Sequence, residues 1–525
     1  MPTSLRSSFL VAAALCGLLA AAPGAQASQG DGYPGRGKAI DQLSPSTDYS
    51  DVLAGRPRAL GIIRSRAQGF VPSPPLHDYV RGVLAKLLAH VTLPPSFHPD
   101  VRILAAPEFT GECTPDGTLI LTIGLLEQLE NEDELAFVLG HEVSHAIYRH
   151  QVHDWYKKAQ YYAVVNGGAV DLVAKSAAVS IGGSAGTNIM RGLDVAQHLA
   201  KLSANVLMPQ MERGQEDAAD ALGFDLMVKA GYDPEAALSV MDKLAEQEAE
   251  AAEAAREARA ASKRASEDPQ KSNGLLGGLG GFGAGLSVLG TVASGGRPST
   301  DQLTDLAIFA FDTAVDNMAE DATSHHPAKE REDLLSAYAF REYRELAIAN
   351  PTPLPWSPDS ASPVKPQLTA MLSHYSSAEN AAAYIADASQ GNAATAATYV
   401  STSTASPTAD HAYTEFVAAE YYERDRQAAL SEAALVKAVN GPEPSWEVYS
   451  RLTDIYVARN DYAKAQALMD QAAVRFDNSP VILPKRIEVL HGAGRQADAE
   501  ALLPQCKSYD IDELTDACKK AAGKS

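Results

Sequence analysis

The sequence predicts a mainly α-helical protein in two parts: an α+β domain with a small sheet and an amphipathic or largely buried active-site helix, then an all-α domain of helical repeats. Three observations carry this. "ELAFVLGHEVSHAIYRH", residues 134–150, places apolar residues at helical spacing. "GTLILTIG", residues 117–124, is the one clear strand candidate among the helical runs from Pro75 to about Tyr343. Beyond a proline-rich stretch, a 34-residue echo sets Tyr422, Tyr456 and Leu490 in register, with Ala438 and Ala472, and Ala465 and Ala499.

In chain order, residues 1–27 read as a cleaved signal peptide: Arg6, an apolar run from Phe9 to Ala22, then Ala25-Gln26-Ala27 as a small-x-small cleavage site. The main domain is expected over 28–349. Within it lie a charged helix over 246–272 and an uncharged glycine-rich segment over 273–296, whose glycines disfavour a spanning helix and favour a loop. "NPTPLPWSPDSASPVKP", 350–366, has six prolines and reads as a stiff linker. Residues 367–525 are expected to form repeats resembling tetratricopeptide repeats, in which small residues let paired helices pack closely.

The net charge of −22, one unit more negative once Arg6 is removed, disfavours nucleic acid and leaves at most peripheral membrane contact. Three cysteines follow the signal. On one continuous helix Cys506 and Cys518 would stand about 18 Å apart, beyond disulfide reach. Asp510 with Glu513 marks a new helix start, so the chain turns between them and a bridge is expected, with Cys113 free.

The buried helix carries chemistry. Four residues apart, His141 and His145 fall about 40° apart around a helix, one turn along, so both imidazoles reach one ion. Glu142 lies beside them, near a metal-bound water, whereas His150 falls about 180° from His141 and faces away. This is the His-Glu-x-x-His arrangement of zinc hydrolases. Chance also produces the pattern, so a third ligand is needed. "MERGQEDAADALGFDLMVKAGYDP", 211–234, offers Glu216 as that ligand, with Asp220 one turn on to accept the free N–H of a ligating imidazole.

"DELAFVLGHEVSHAIYRH", followed by "EDAADALG" and "SHHPAKER", resembles the zinc metallopeptidases of the HtpX and CAAX-prenyl-protease family, and within it the soluble periplasmic BepA-type branch with tetratricopeptide tails. The resemblance covers about residues 75–345. It implies one zinc ion per chain on His141, His145 and Glu216, Glu142 as catalytic base, Asp220 as the partner behind the ligands, and strand 117–124 as the edge strand of the active site. Two departures stand out: "TGECTPDG" replaces the usual approach to that strand, and where the family's arginine follows its His-Pro histidine by six residues, Arg331 is five residues from His326 and six from His325.

The expected function is zinc-dependent hydrolysis of peptide bonds in unfolded or misassembled envelope proteins, in the periplasm, as protein quality control. The repeats would recruit substrate or an envelope partner. Arg331 is expected to steady the oxyanion, and His326 or His325 to be a fourth ligand that latches the resting enzyme. The alternative is a non-enzymatic chaperone or adaptor scaffold that uses the repeats.

Overall fold

The computed structural model describes residues 33, 35, 37–43, 49, 61, 64, 68–94, 97–150, 213–266, 326–343, 350–386 and 393–524. The expected signal peptide, the glycine-rich segment and His325 lie outside these residues.

Helix α1, Pro74–Leu88, starts on proline, where a missing N–H costs nothing, and buries Leu76, Val80, Val83, Leu84 and Leu87 along one stripe. It packs on β1, Asp100–Leu104, and on α3, Glu132–Ile147. Strand β2, Gly111–Cys113, forms a hairpin with β3, Thr118–Thr122. Gly117 closes the turn at φ +83°, a conformation that needs glycine. Strand order is β1-β3-β2, with β1 parallel and β2 antiparallel to β3. The strand expected over 117–124 therefore forms, but it is central: both its edges are paired, and β1 and β2 stand at the edges of the sheet. Local alternation marks a strand without saying which neighbours it will find.

After α2, Ile123–Gln128, comes α3. Asn131 caps it by accepting the Glu134 N–H at 2.9 Å, while Glu134 reaches back to the Glu130 N–H at 2.8 Å, a reciprocal cap. Helix α3 is buried almost all round and packs closely on α4, Arg213–Lys229. Helices α5, Glu235–Ser266, and α6, Ala328–Glu342, close this part.

The proline-rich segment 350–366 does not hang free. Between Pro351 and Pro353, Thr352 is the residue with an N–H to give, and it donates to Asp133 Oδ2 at 2.9 Å; its carbonyl accepts from Glu132 N at 2.7 Å. Trp356 packs edge-on against Tyr79 at 5.9 Å between ring centroids. The segment is thus a strap across the start of α3.

Beyond it lie α7, Lys365–Ala386, α8, Ala393–Ser403, α9, Ala412–Arg424, α10, Ala428–Asn440, α11, Trp446–Ala458, and α12, Tyr462–Arg475. They pack as α7 on α8, α9 on α10 and α11 on α12. Their buried residues, Leu368 to Phe476, join one continuous apolar core with Leu135, Phe137 and Leu222 of the first part. The chain ends in α13, Leu483–Gly492, α14, Gln496–Ala501, α15, Leu503–Lys507, and α16, Asp512–Ala521, around a smaller core of their own. Among the described residues no helix is long and apolar enough to cross a membrane.

Cys506 and Cys518 are bridged across the turn at Asp510, where φ is +55°, and Cys113 is free and buried. The bridge closes a short loop within the small terminal core. Replacing both cysteines by serine is expected to cost about 2–4 kcal/mol, read as a lower urea midpoint, and peptide mapping without reductant is expected to recover 506 and 518 linked.

Candidate metal centre

The site begins with two glycines. A Cβ on Gly140 of α3 would come within 2.9 Å of the Gly223 carbonyl oxygen of α4, and a Cβ on Gly223 within 2.7 Å of the His141 nitrogen. Only glycine at both positions allows the backbones to cross this closely. The crossing brings His141 and His145 of α3 against Glu216 of α4.

Donor atoms of these three residues all lie within 4.8 Å of one another. His141 Nε2 and His145 Nε2 are 3.1 Å apart, and Glu216 reaches them at 3.6 and 3.5 Å through Oε2 and Oε1. Ligands at about 2.0–2.1 Å from a tetrahedral zinc stand about 3.3 Å apart, so the set fits such an ion.

Asp220 lies behind the set, wholly buried, with Oδ1 2.9 Å from His141 Nδ1. Arg331 of α6 grips Asp220 with both arms of its fork, Nε to Oδ2 at 2.9 Å and Nη2 to Oδ1 at 2.7 Å, and Nη2 stands 3.2 Å from Glu216. Burial alone would raise the Asp220 pKa, but Arg331 and His141 outweigh it and hold the carboxyl below its usual range. Burial likewise pushes the His141 imidazole down, and Asp220 with Glu216 more than offset it.

Glu142 faces β2: its Oε1 lies 3.0 Å from where a Gly111 Cβ would be. Burial, partly opposed by His141, pushes its carboxyl up to about 7.

Residues 79–336 match the sequence model of Peptidase family M48. They form a peptidase family M48 domain. The chain is 27% identical over 147 residues to the mitochondrial metalloendopeptidase OMA1 of Arabidopsis thaliana, which covers 28% of this chain and 26% of that one. It is 29% identical over 134 residues to the beta-barrel assembly-enhancing protease of Yersinia pestis, 25% of each chain, and 23% identical over 183 residues to the Escherichia coli protein of that name, 34% of each. The chain thus spans about a quarter to a third of the length of these curated relatives.

The M48 domain encloses His141, Glu142, His145, Glu216, Asp220, His326 and Arg331, and the helices from α7 onward lie outside the match. Arg331, expected to steady an oxyanion, is paired with Asp220 and Glu216. His326 is not among the three donors: its Nδ1 is 3.0 Å from Glu330 and its Nε2 3.7 Å from Asp217, at the start of α6. The histidine before Pro327 thus sits with its own helix, as a loop histidine at a helix start does.

His150 is the residue that helical spacing misplaced. Helix α3 stops at Ile147, and Arg149 turns the chain with φ +59°, so His150 folds back to put Nδ1 3.0 Å from His145 Nδ1. Burial, with His141 nearby, lowers the His150 pKa to about 4, which keeps the ring neutral and able to accept the His145 N–H. The turn at a non-glycine residue left no mark in the sequence; the end of the apolar pattern at Ile147 was the available hint.

Gly223→Ala is expected to force the helices apart, with a cost of about 1–3 kcal/mol and metal binding weakened about ten- to a hundredfold in chelator competition. Gly82→Ala on α1, where nothing lies within 4 Å of the added carbon, is the matching control: it leaves metal binding unchanged and raises stability by about 0.5–1 kcal/mol.

Proposed function

We propose that the chain is a zinc-dependent endopeptidase acting on unfolded or misassembled envelope proteins. The observation that carries this reading is the position of Glu142, next to the donor His141 in the chain and against Gly111 of β2, a strand at one edge of the sheet. A purely structural zinc site has no use for a base there.

Zinc held by His141, His145 and Glu216 supplies Lewis acidity toward water and the scissile carbonyl. An extended substrate adds to β2 through main-chain hydrogen bonds, which read shape more than sequence and suit unfolded chains. Glu142 takes the proton of the attacking water and hands it to the leaving amine. Asp220 fixes the His141 tautomer with Nε2 free to ligate, and His150 does the same for His145. Arg331 is a positioning residue that balances Asp220 and Glu216.

In this reading residues 1–27 are a signal peptide that sends the chain to the periplasm, 28–349 form the peptidase domain, 350–366 the strap, and 367–525 tetratricopeptide-like repeats that recruit substrate or an envelope partner. Relatives named for β-barrel assembly support that substrate class.

Glu142→Gln is expected to keep zinc and lower casein cleavage by at least about a hundredfold, whereas His145→Ala loses both. Metal analysis beside the cleavage assay separates the two, and full cleavage by Glu142→Gln would sink the assignment.

A further inference from the structure

We propose that the wall beside the edge strand carries a subsite for a basic substrate side chain, built on Glu108, about three residues from the bond that is cut; this rests on the endopeptidase reading. Going back from Gly111, the chain runs through Thr110 and Phe109 to Glu108. Thr122 ties this run down by donating its hydroxyl to the Glu108 and Thr110 carbonyls at 2.5 and 3.0 Å. Glu108 lies at a bend just before β2, so it stands at most about 10 Å along the chain from Gly111. A substrate laid along β2 with its scissile bond at Glu142 therefore brings a side chain about three positions away to Glu108.

Glu108 is only 5% exposed, and neither carboxylate oxygen has a hydrogen-bond partner. Opposite it stand acids that are already engaged. Glu379 of α7 accepts the hydroxyl of Tyr413, and Glu420 of α9 pairs with Arg451 at 3.0 Å. Glu379, Glu420 and Glu108 all act on the buried Tyr413 hydroxyl and, after burial itself, raise its pKa. Glu379 thus holds the phenol, the charges of Glu420 and Glu108 are near enough to act on it, and Glu108 has no counter-charge within ion-pair reach among the described residues. A buried carboxylate without a partner is costly. An incoming lysine or arginine supplies the missing donors, Phe109, partly exposed, covers its alkyl stem, and an acidic side chain is repelled. A bare metal ion suits the place less well, since the one cluster of donors close enough to hold an ion among the described residues is His141, His145 and Glu216.

The test uses the full chain and peptides identical except for lysine, glutamine or glutamate at the position three residues from the cleaved bond, on either side. Expected is a preference for lysine over glutamine of roughly ten- to a hundredfold in kcat/KM, carried mainly by KM. Glu108→Gln brings the ratio close to one, and Glu108→Lys turns it toward glutamate. An unaltered lysine-to-glutamine ratio in Glu108→Gln, or no preference in the parent, overturns the subsite. Binding of the same peptides, labelled and followed by anisotropy, to Glu142→Gln with and without Glu108→Gln separates this inference from the endopeptidase reading. Binding preference that depends on Glu108 in a chain that cuts nothing keeps the subsite and sinks the hydrolysis; cleavage indifferent to Glu108 does the reverse. Where Glu108→Gln does not fold, salt decides: a lysine preference in the parent chain that weakens as ionic strength rises supports the subsite, and one that does not overturns it.

Discussion

The close crossing of α3 and α4 at Gly140 and Gly223 governs the rest of the site. Two helices with ordinary side chains at their contact keep axes 8–10 Å apart, about the upper range of which would leave Glu216 short of the two imidazoles. With glycine on both sides the backbones touch, so the ligands need no unusual rotamers to meet. The cost is the freedom that glycine loses inside a helix, roughly 1 kcal/mol each, which packing of Leu135, Leu139, Leu222 and Phe224 around the crossing offsets.

Such a crossing crowds acids. Glu216, Asp217 and Asp220 are buried on α4 with Glu142 half-buried on α3, and Arg331 brings a cation to them from α6. Nε and Nη2 are both given to Asp220, and Nη2 also stands 3.2 Å from Glu216, so one side chain both balances charge and orients the residue that orients His141. Breaking a buried pair of this kind leaves a lone charge, typically a loss of about 3–5 kcal/mol. That is why Arg331 is better read as part of the frame than as a reagent.

What could be read from the sequence was whatever depends on spacing along a single element. His141 and His145 are neighbours because a helix turns every 3.6 residues, and the carboxylates of 216 and 220 share a face of α4 for the same reason. The mainly helical architecture with a small sheet was legible from periodicity. What escaped depends on the chain reversing or pairing at a distance. Arg149 reverses the chain at φ +59° and brings back His150, which a continued helix would have pointed away. Strand β3 became central because β1 and β2 came to both its sides, and no local alternation encodes that. The prolines of 350–366 read as a spacer, yet proline also silences donors, leaving Thr352 to find Asp133. His326 was placed by its proline neighbour alone, and its own helix claimed it.

The strap has a consequence for how the two halves work together. Asp133, 2% exposed, accepts both the Thr352 N–H and, at 2.7 Å, the Asp233 N–H, so one carboxylate in the first turn of α3 joins the strap to the start of α5. Eight residues further along the same helix stands His141. From the other side, Ser376 of α7 donates to Glu127 of α2, and Gly69, just before the sheet, would place a Cβ 2.9 Å from the Glu443 carbonyl oxygen. Helical pairs that merely trailed from a flexible tether would leave such contacts unmade. Here they share an apolar core with α3 itself, the element that carries two of the three donors.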